Sequence, residues 1–280
     1  MNYGHAYHAG NFADVMKHVL LTTLIQFFTK KETPFCYLDT HAGNGVYDLE
    51  SMYAKKTGEY LLGIEKIIQE PQPPLLVKRY LDCVKTINQQ YSNDDRVHYY
   101  PGSPMLVKQL IRPQDRIIAC ELETTAYQTL KTYFAKDKQV AIHHQDGFLA
   151  LKGFLPPKEK RGLILIDPPY EKPDDFAQIL KHLSLALKHF RMGTYAIWYP
   201  IKQKYQTCTF LNKARDTIAE PLLSIELSIY PDSAQHLNGS GMLIVNPPWQ
   251  FAEAFQPVLA WLWNALSING QGHYSQQILK

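Results

Sequence analysis

Gly162-Leu163-Ile164-Leu165-Ile166-Asp167-Pro168-Pro169-Tyr170 decides the fold. An unbroken apolar run of this length, closed by turn residues, is a strand buried on both faces, and such strands belong to parallel sheets covered by helices on each side. The run ends abruptly. A residue before proline is pushed towards extended geometry, and two prolines fix the turn that follows. Asp167 therefore stands at the carboxyl end of a central strand, where open α/β sheets place their ligands.

Outward from this segment, β-rich runs alternate with amphipathic stretches. Strands are expected at Phe35–Asp39, Arg116–Glu121, Val140–His143, Gly162–Asp167, Thr194–Tyr199, Leu222–Tyr230 and Gly241–Asn246. No crossover helix separates the last two, so they should form an antiparallel hairpin at one edge of a seven-stranded, mostly parallel sheet. A helix should precede the first strand. Phe12, Met16, Val19, Leu20, Thr23 and Phe27 share one face, after an N-cap at Asn11, while Asp14, Lys17 and His18 occupy the opposite face. Between about Val46 and Ser103 the βαβ order breaks down. Helical stretches near Tyr60–Gln69 and Leu75–Gln90 flank Pro71, Pro73 and Pro74, which reads as a helical subdomain (about 46–103) inserted into a single domain spanning 1–280.

Three further strand ends carry polar signals. Asp39-Thr40-His41-Ala42-Gly43-Asn44-Gly45 closes the first strand with Asp and follows it with two glycines that let backbone approach a ligand. Without a GK[ST] ending it is not a phosphate-binding P-loop. Glu121 ends the next strand, placed to accept hydrogen bonds from ribose hydroxyls, though 76 positions after Gly45 rather than the usual ~20. Asp146-Gly147 follows the next, where a carboxylate can accept from a cofactor's adenine amino group. Alone, each could be an ordinary turn or cap; their order makes them informative. Asp167 and the Pro168 carbonyl are fixed acceptors that can hold the two hydrogens of an aromatic amine and aim its lone pair. Tyr170 can stack on a base rotated out of its helix.

Composition narrows the class. A chain of 280 residues, 45% hydrophobic, can bury a full core. Net charge is only +3, but between Lys152 and Arg215 twelve Lys/Arg face five Asp/Glu, weak support for a polyanionic partner. Cys36, Cys83, Cys120 and Cys208 lack metal-ligand spacing, which fits a reduced setting without a metal. No signal-peptide pattern opens the chain and no apolar run has membrane-spanning length, so a cytoplasmic protein is expected.

Asp167-Pro168-Pro169-Tyr170 resembles motif IV of the N6-adenine methyltransferases, and Asp39-x-x-x-Gly43-x-Gly45 resembles their motif I. The likeness is strongest to the 23S ribosomal RNA adenine-N6 methyltransferase family. It runs through His8-Ala9-Gly10-Asn11, Asp14, Lys17-His18, Thr57-Gly58-Glu59-Tyr60-Leu61, Tyr100-Pro101-Gly102-Ser103-Pro104, Trp198-Tyr199-Pro200 and Ser240-Gly241-Met242, and so covers nearly the whole chain. What the resemblance implies is a Rossmann-like class I methyltransferase fold, a monomer, with S-adenosyl-L-methionine as cofactor and 23S ribosomal RNA as partner. It implies a cofactor site drawing on His18, His41, Gly43, Gly45, Ser103, Glu121, Asp146, Gly147 and Asp167. Asp167 would be the proton acceptor or the lone-pair organiser, with Pro168, Tyr170 and Lys17 beside it at the catalytic centre. Tyr3, His5 and Lys17 would belong to an N-terminal lid, drawn at about residues 1–11, over cofactor and target adenosine. Gly4 departs from the pattern, since a basic residue is expected there in relatives.

Ile244-Val245-Asn246-Pro247-Pro248-Trp249 repeats the motif in variant form. It ends a strand expected to run antiparallel, so its carboxyl end should point away from the cofactor side, making it structural. Other readings stay open from residues alone: a DNA adenine-N6 methyltransferase, a catalytically silent RNA-binding module, or an NAD-dependent oxidoreductase.

Overall fold

The computed structural model describes residues 5–92, 94, 96–233 and 236–280. Its main sheet contains β1 (Cys36–Asp39), β4 (Arg116–Glu121), β5 (Val140–His144), β6 (Gly162–Ile166), β7 (Thr194–Ile201), β8 (Leu222–Ser228), β9 (Gly239–Val245) and β10 (His273–Ile278). A two-stranded ribbon pairs β2 (Val46–Asp48) with β3 (Tyr99–Pro101). The helices are α1 (Phe12–Thr29), α2 (Met52–Thr57), α3 (Ile64–Gln69), α4 (Leu75–Tyr91), α5 (Ser103–Leu110), α6 (Thr124–Tyr133), α7 (Gly147–Gly153), α8 (Asp175–His189), α9 (Lys204–Thr217) and α10 (Phe251–Leu266).

The sheet order is β10-β8-β9-β7-β6-β1-β4-β5. From β5 to β7 every neighbour is parallel, and β9 and β10 run the other way. This is the Rossmann-like α/β arrangement that the strand pattern led us to expect. Alternate residues of each strand face opposite layers. Tyr37, Ile117, Leu163 and Leu165 meet α1, α5 and α10, while Leu38, Ile118, Ile164 and Ile166 meet α7 and α8. Chain order reverses on either side of β1, which opens a crevice above its carboxyl end.

Three expectations need correction. The sheet has eight strands rather than seven, because β10 pairs antiparallel with β8. The β8–β9 hairpin therefore is not the edge; β9 lies between β7 and β8, and β10 is outermost. The third concerns Lys17, expected in the lid: it lies within α1, which is buried along nearly its whole length. Asp14, Lys17 and His18 are as inaccessible as Val15 and Met16. The apolar face packs on β9 and α10, while α4 and α5 cover much of the rest. The segment between β2 and β3 carries α2 to α4, and the ribbon joins its two ends, with Val46 opposite Pro101.

Candidate active site

The loop after β1 builds the floor of the crevice. Thr40 N–H donates to Leu165 O on β6 (3.1 Å), and Ala42 N–H donates to Cys120 O on β4 (3.0 Å). The turn thus spans the gap between two diverging strands. Gly43 is left-handed (φ 65°), and its N–H donates to Glu121 Oε2 at 2.7 Å. A Cβ there would lie 2.1 Å from the Tyr47 hydroxyl, so both backbone and space require glycine. Gly45 contributes its carbonyl, which accepts from Gly102 N–H at 2.7 Å and ties the loop to the head of α5. Glu121 takes Glu123 N–H on its other oxygen, at 2.8 Å.

Asp39 is completely buried. Its Oδ2 accepts from the hydroxyls of Ser103 (2.6 Å) and Tyr37 (2.7 Å), and Oδ1 from His41 N–H (3.3 Å). Burial nevertheless pushes its carboxyl up to about 6, with the nearby Asp167 charge adding to the rise against those donors. Tyr37 was not foreseen here, although residues two apart in a strand share a face. Burial holds the pKa of His41 below the ordinary histidine value, and its Nδ1 meets the Thr40 hydroxyl at 2.8 Å.

Asp146 caps α7, its Oδ1 accepting from Phe148 N–H (2.8 Å) and Leu149 N–H (3.1 Å). Gly147 beside it has a steric reason: a Cβ would lie 2.1 Å from the Thr40 carbonyl oxygen. The start of α7 is thereby pressed against the β1 loop, bringing Asp146 to the same crevice wall.

At the end of β6, Asp167 Oδ2 meets Lys17 Nζ at 2.6 Å. The same ammonium lies 2.8 Å from Asp14 Oδ1 and 5.8 Å from the Trp198 ring centre. Burial opposes the charge on Lys17, but the two carboxylates outweigh it and hold the ammonium well above the usual lysine range. Asp14 is fixed in turn by Gly10 N–H (3.1 Å) and by its own N–H donated to Asn11 Oδ1 (2.9 Å). Asn11 and His8 both bond Glu59. The turn Thr57-Gly58-Glu59 thus anchors the start of α1, a role the sequence did not reveal for Glu59.

Tyr170 is left-handed (φ 51°), an uncommon geometry for a non-glycine residue. Its hydroxyl donates to Trp198 O, and its ring meets Trp198 edge-on with centres 5.6 Å apart. Pro168 is buried and Pro169 is exposed.

The fold therefore brings the Lys17–Asp167 pair and the Asp39–Ser103 pair near enough for their carboxylates to repel, with Gly43, Gly45, Glu121, Asp146, Gly147 and His41 along the neighbouring loops. His18 is a separate matter. Its Nδ1 lies 2.7 Å from the Tyr100 hydroxyl, on which its ring stacks at 5.5 Å, so it joins α1 to the ribbon. His5 begins a 3-10 helix, His5–Tyr7. Tyr3 and Gly4 lie outside the described residues. Asn246 is across the sheet, its amide donating to Arg191 O and Gly193 O, both at 2.8 Å, near the start of β7. Among the described residues no group of three or more His, Cys, Asp or Glu could hold a metal ion, and no helix is long and apolar enough to cross a membrane.

Known proteins resemble this chain over nearly its whole length. A solved structure from Legionella pneumophila is 37% identical and covers 97% of each chain, with a TM-score of 0.86. Ribosomal RNA large subunit methyltransferase J of Escherichia coli K12 is 40% identical over 98% of this chain and 96% of its own length. The protein of the same name from Haemophilus influenzae is also 40% identical, over 98% and 97%. The family model described as ribosomal RNA large subunit methyltransferase D, RlmJ, matches residues 32–279. On these matches the chain belongs to the RlmJ family of ribosomal RNA large subunit methyltransferases.

Proposed function

We propose that this chain methylates the exocyclic N6 of an adenine in 23S ribosomal RNA, using S-adenosyl-L-methionine, as a cytoplasmic monomer. The names of the two bacterial relatives support ribosomal RNA over DNA as the substrate. The observation that carries the chemistry is the clamp of Lys17 on one oxygen of Asp167, 2.6 Å away.

The crevice residues fit the cofactor by charge and by spare acceptors. Asp14, Asp39, Glu121, Asp146 and Asp167 outnumber the single ammonium of Lys17, which favours a cationic ligand. Glu121 spends one oxygen on each of two backbone N–H groups, which leaves lone pairs for ribose hydroxyls. Asp146 uses only Oδ1 for its helix cap, leaving Oδ2 for an amino group. When bound, S-adenosylmethionine supplies an electrophilic methyl on sulfur.

This chain's own residues orient the amine. Lys17 engages Asp167 Oδ2, and Oδ1 has no hydrogen bond among the described residues. Oδ1 and the Pro168 carbonyl are then two acceptors for two N–H groups, and the nitrogen lone pair is turned out of conjugation. Lys17 keeps its proton and positions the carboxylate, so the proton that N6 sheds as the methyl leaves sulfur passes to Asp167 Oδ1 and on to solvent. Tyr170 supports the base by stacking, and Tyr3 and His5 act from the N-terminal lid. Asp167→Ala should abolish methyl transfer to ribosomal RNA while S-adenosylhomocysteine binding weakens only modestly. Turnover near wild type, with tritiated methyl donor, would remove Asp167 from the mechanism.

A further inference from the structure

A groove of about 330 Å³ opens beside the candidate site, between the first turns of α8 with the segment leading into it and one face of α9. Tyr170 belongs to both places: it ends the Asp-Pro-Pro-Tyr turn and forms one wall of the groove. Phe176 makes a neighbouring wall, with its ring centre 5.1 Å from that of Tyr170. Lys172, Lys202 and Lys213 line the rim, all exposed, and no acid is among the lining residues. Two acids at the start of α8 are already engaged. Asp175 accepts from Lys172 N–H at 2.7 Å, and Asp174 from the Gln178 side chain at 2.9 Å. Tyr205 stands at the mouth with 65% of its surface exposed, a large aromatic face with no burial to explain it.

Three lysines around an aromatic-walled slot, with a further exposed ring, match what single-stranded RNA requires: cations along the phosphates and rings for bases. The volume lies within the range of small-ligand pockets. The groove also sits within Lys152–Arg215, where the chain concentrates its basic excess. Resting on the proposed RNA methylation, we infer that this groove is a second nucleotide subsite. It takes a nucleotide flanking the target adenosine, with its base against Tyr205 and phosphates on Lys172, Lys202 and Lys213.

The test uses the full chain, unmodified 23S ribosomal RNA transcribed in vitro, and a short fluorescent single-stranded RNA. Tyr205→Ala should raise KM for RNA by about five-fold or more, with kcat little changed, and Tyr205→Phe should restore it. Lys202→Ala with Lys213→Ala should reduce the slope of log affinity against log salt by about 1.4, since each single-strand phosphate contact contributes about 0.7. S-adenosylhomocysteine affinity, measured by calorimetry, should stay unchanged throughout. Wild-type methylation with KM and salt slope unaltered in the variants overturns the subsite and leaves the proposed function standing. Loss of S-adenosylhomocysteine binding in the groove variants would assign the groove to the cofactor and overturn it too. A wild-type protein that binds S-adenosylhomocysteine yet methylates neither RNA overturns both readings.

Discussion

Asp39 is an acid that folding makes harder to ionise. Burial raises its carboxyl to about 6, from an ordinary 3.8, although three donors surround it. Between those two values the folded protein keeps a proton that the unfolded chain has shed. Stability contributed by this group is therefore fully present at low pH, falls as pH rises through that window and levels off above about 6. Two pKa units correspond to about 3 kcal/mol. Urea unfolding of wild type and Asp39→Asn across pH 4 to 7 should show a stability difference drifting by up to that amount in the variant's favour. A difference that stays flat with pH would mean Asp39 titrates normally. Tyr170 makes a second case. Its hydroxyl is engaged by Trp198 O, so Tyr170→Phe should lose about 1 kcal/mol of ring positioning and keep most activity, whereas Tyr170→Ala should lose roughly 1–3 kcal/mol of base binding. Equal losses in RNA titrations of the two variants would sink the stacking account. Asp167 and Tyr170 stood out in the sequence because a strand-terminal Asp before two prolines has few other uses. Asp14 and Glu59 did not, because their importance lies in a network linking residues far apart in sequence.

Among elements, β9 shows how direction separates two similar motifs. Asp167 follows a strand parallel to β1, and Asn246 follows one that runs oppositely. The Asn246 amide bonds two carbonyls at the far side of the sheet and adopts a left-handed backbone (φ 52°) that asparagine tolerates better than alanine. Asn246→Ala should lower stability by about 1–3 kcal/mol in urea while single-turnover methylation per folded molecule stays within a few-fold. A stably folded but inactive variant would reverse the assignment of the two turns. The parallel strands were readable from their apolar runs. Strand β10, His273-Tyr274-Ser275-Gln276-Gln277-Ile278, has no such run, and β2 and β3 are only three residues each, held by pairing with one another. The burial of α1 on its polar side was equally hidden, since nothing in a helix's own pattern announces a second covering layer.

For the molecule as a whole, the N-terminal segment and the β2–β3 insertion meet over the crevice side of α1. The Thr57 hydroxyl donates to Tyr7 O at 2.5 Å, and the Tyr7 ring meets Tyr53 edge-on at 5.2 Å. Deleting Met1–Tyr7 should cut turnover far more than melting temperature, because these contacts are peripheral while the proposed lid closes over substrate. Lost stability with activity per folded molecule intact, seen by calorimetry and methylation side by side, would reduce the segment to packing. At the opposite end of the sheet, β10 sets a different condition on the chain. The strand it covers, Leu222–Ser228, is apolar at most positions and, but for Glu226, buried throughout. Uncovered, its row of backbone donors and acceptors would be a template for any other chain's strand. A short polar hem of His, Tyr, Ser and Gln presents the outside world with an edge far less inviting to pair with. Strand β10 thus spares β8 from standing as an open edge to which a neighbouring molecule could add a strand.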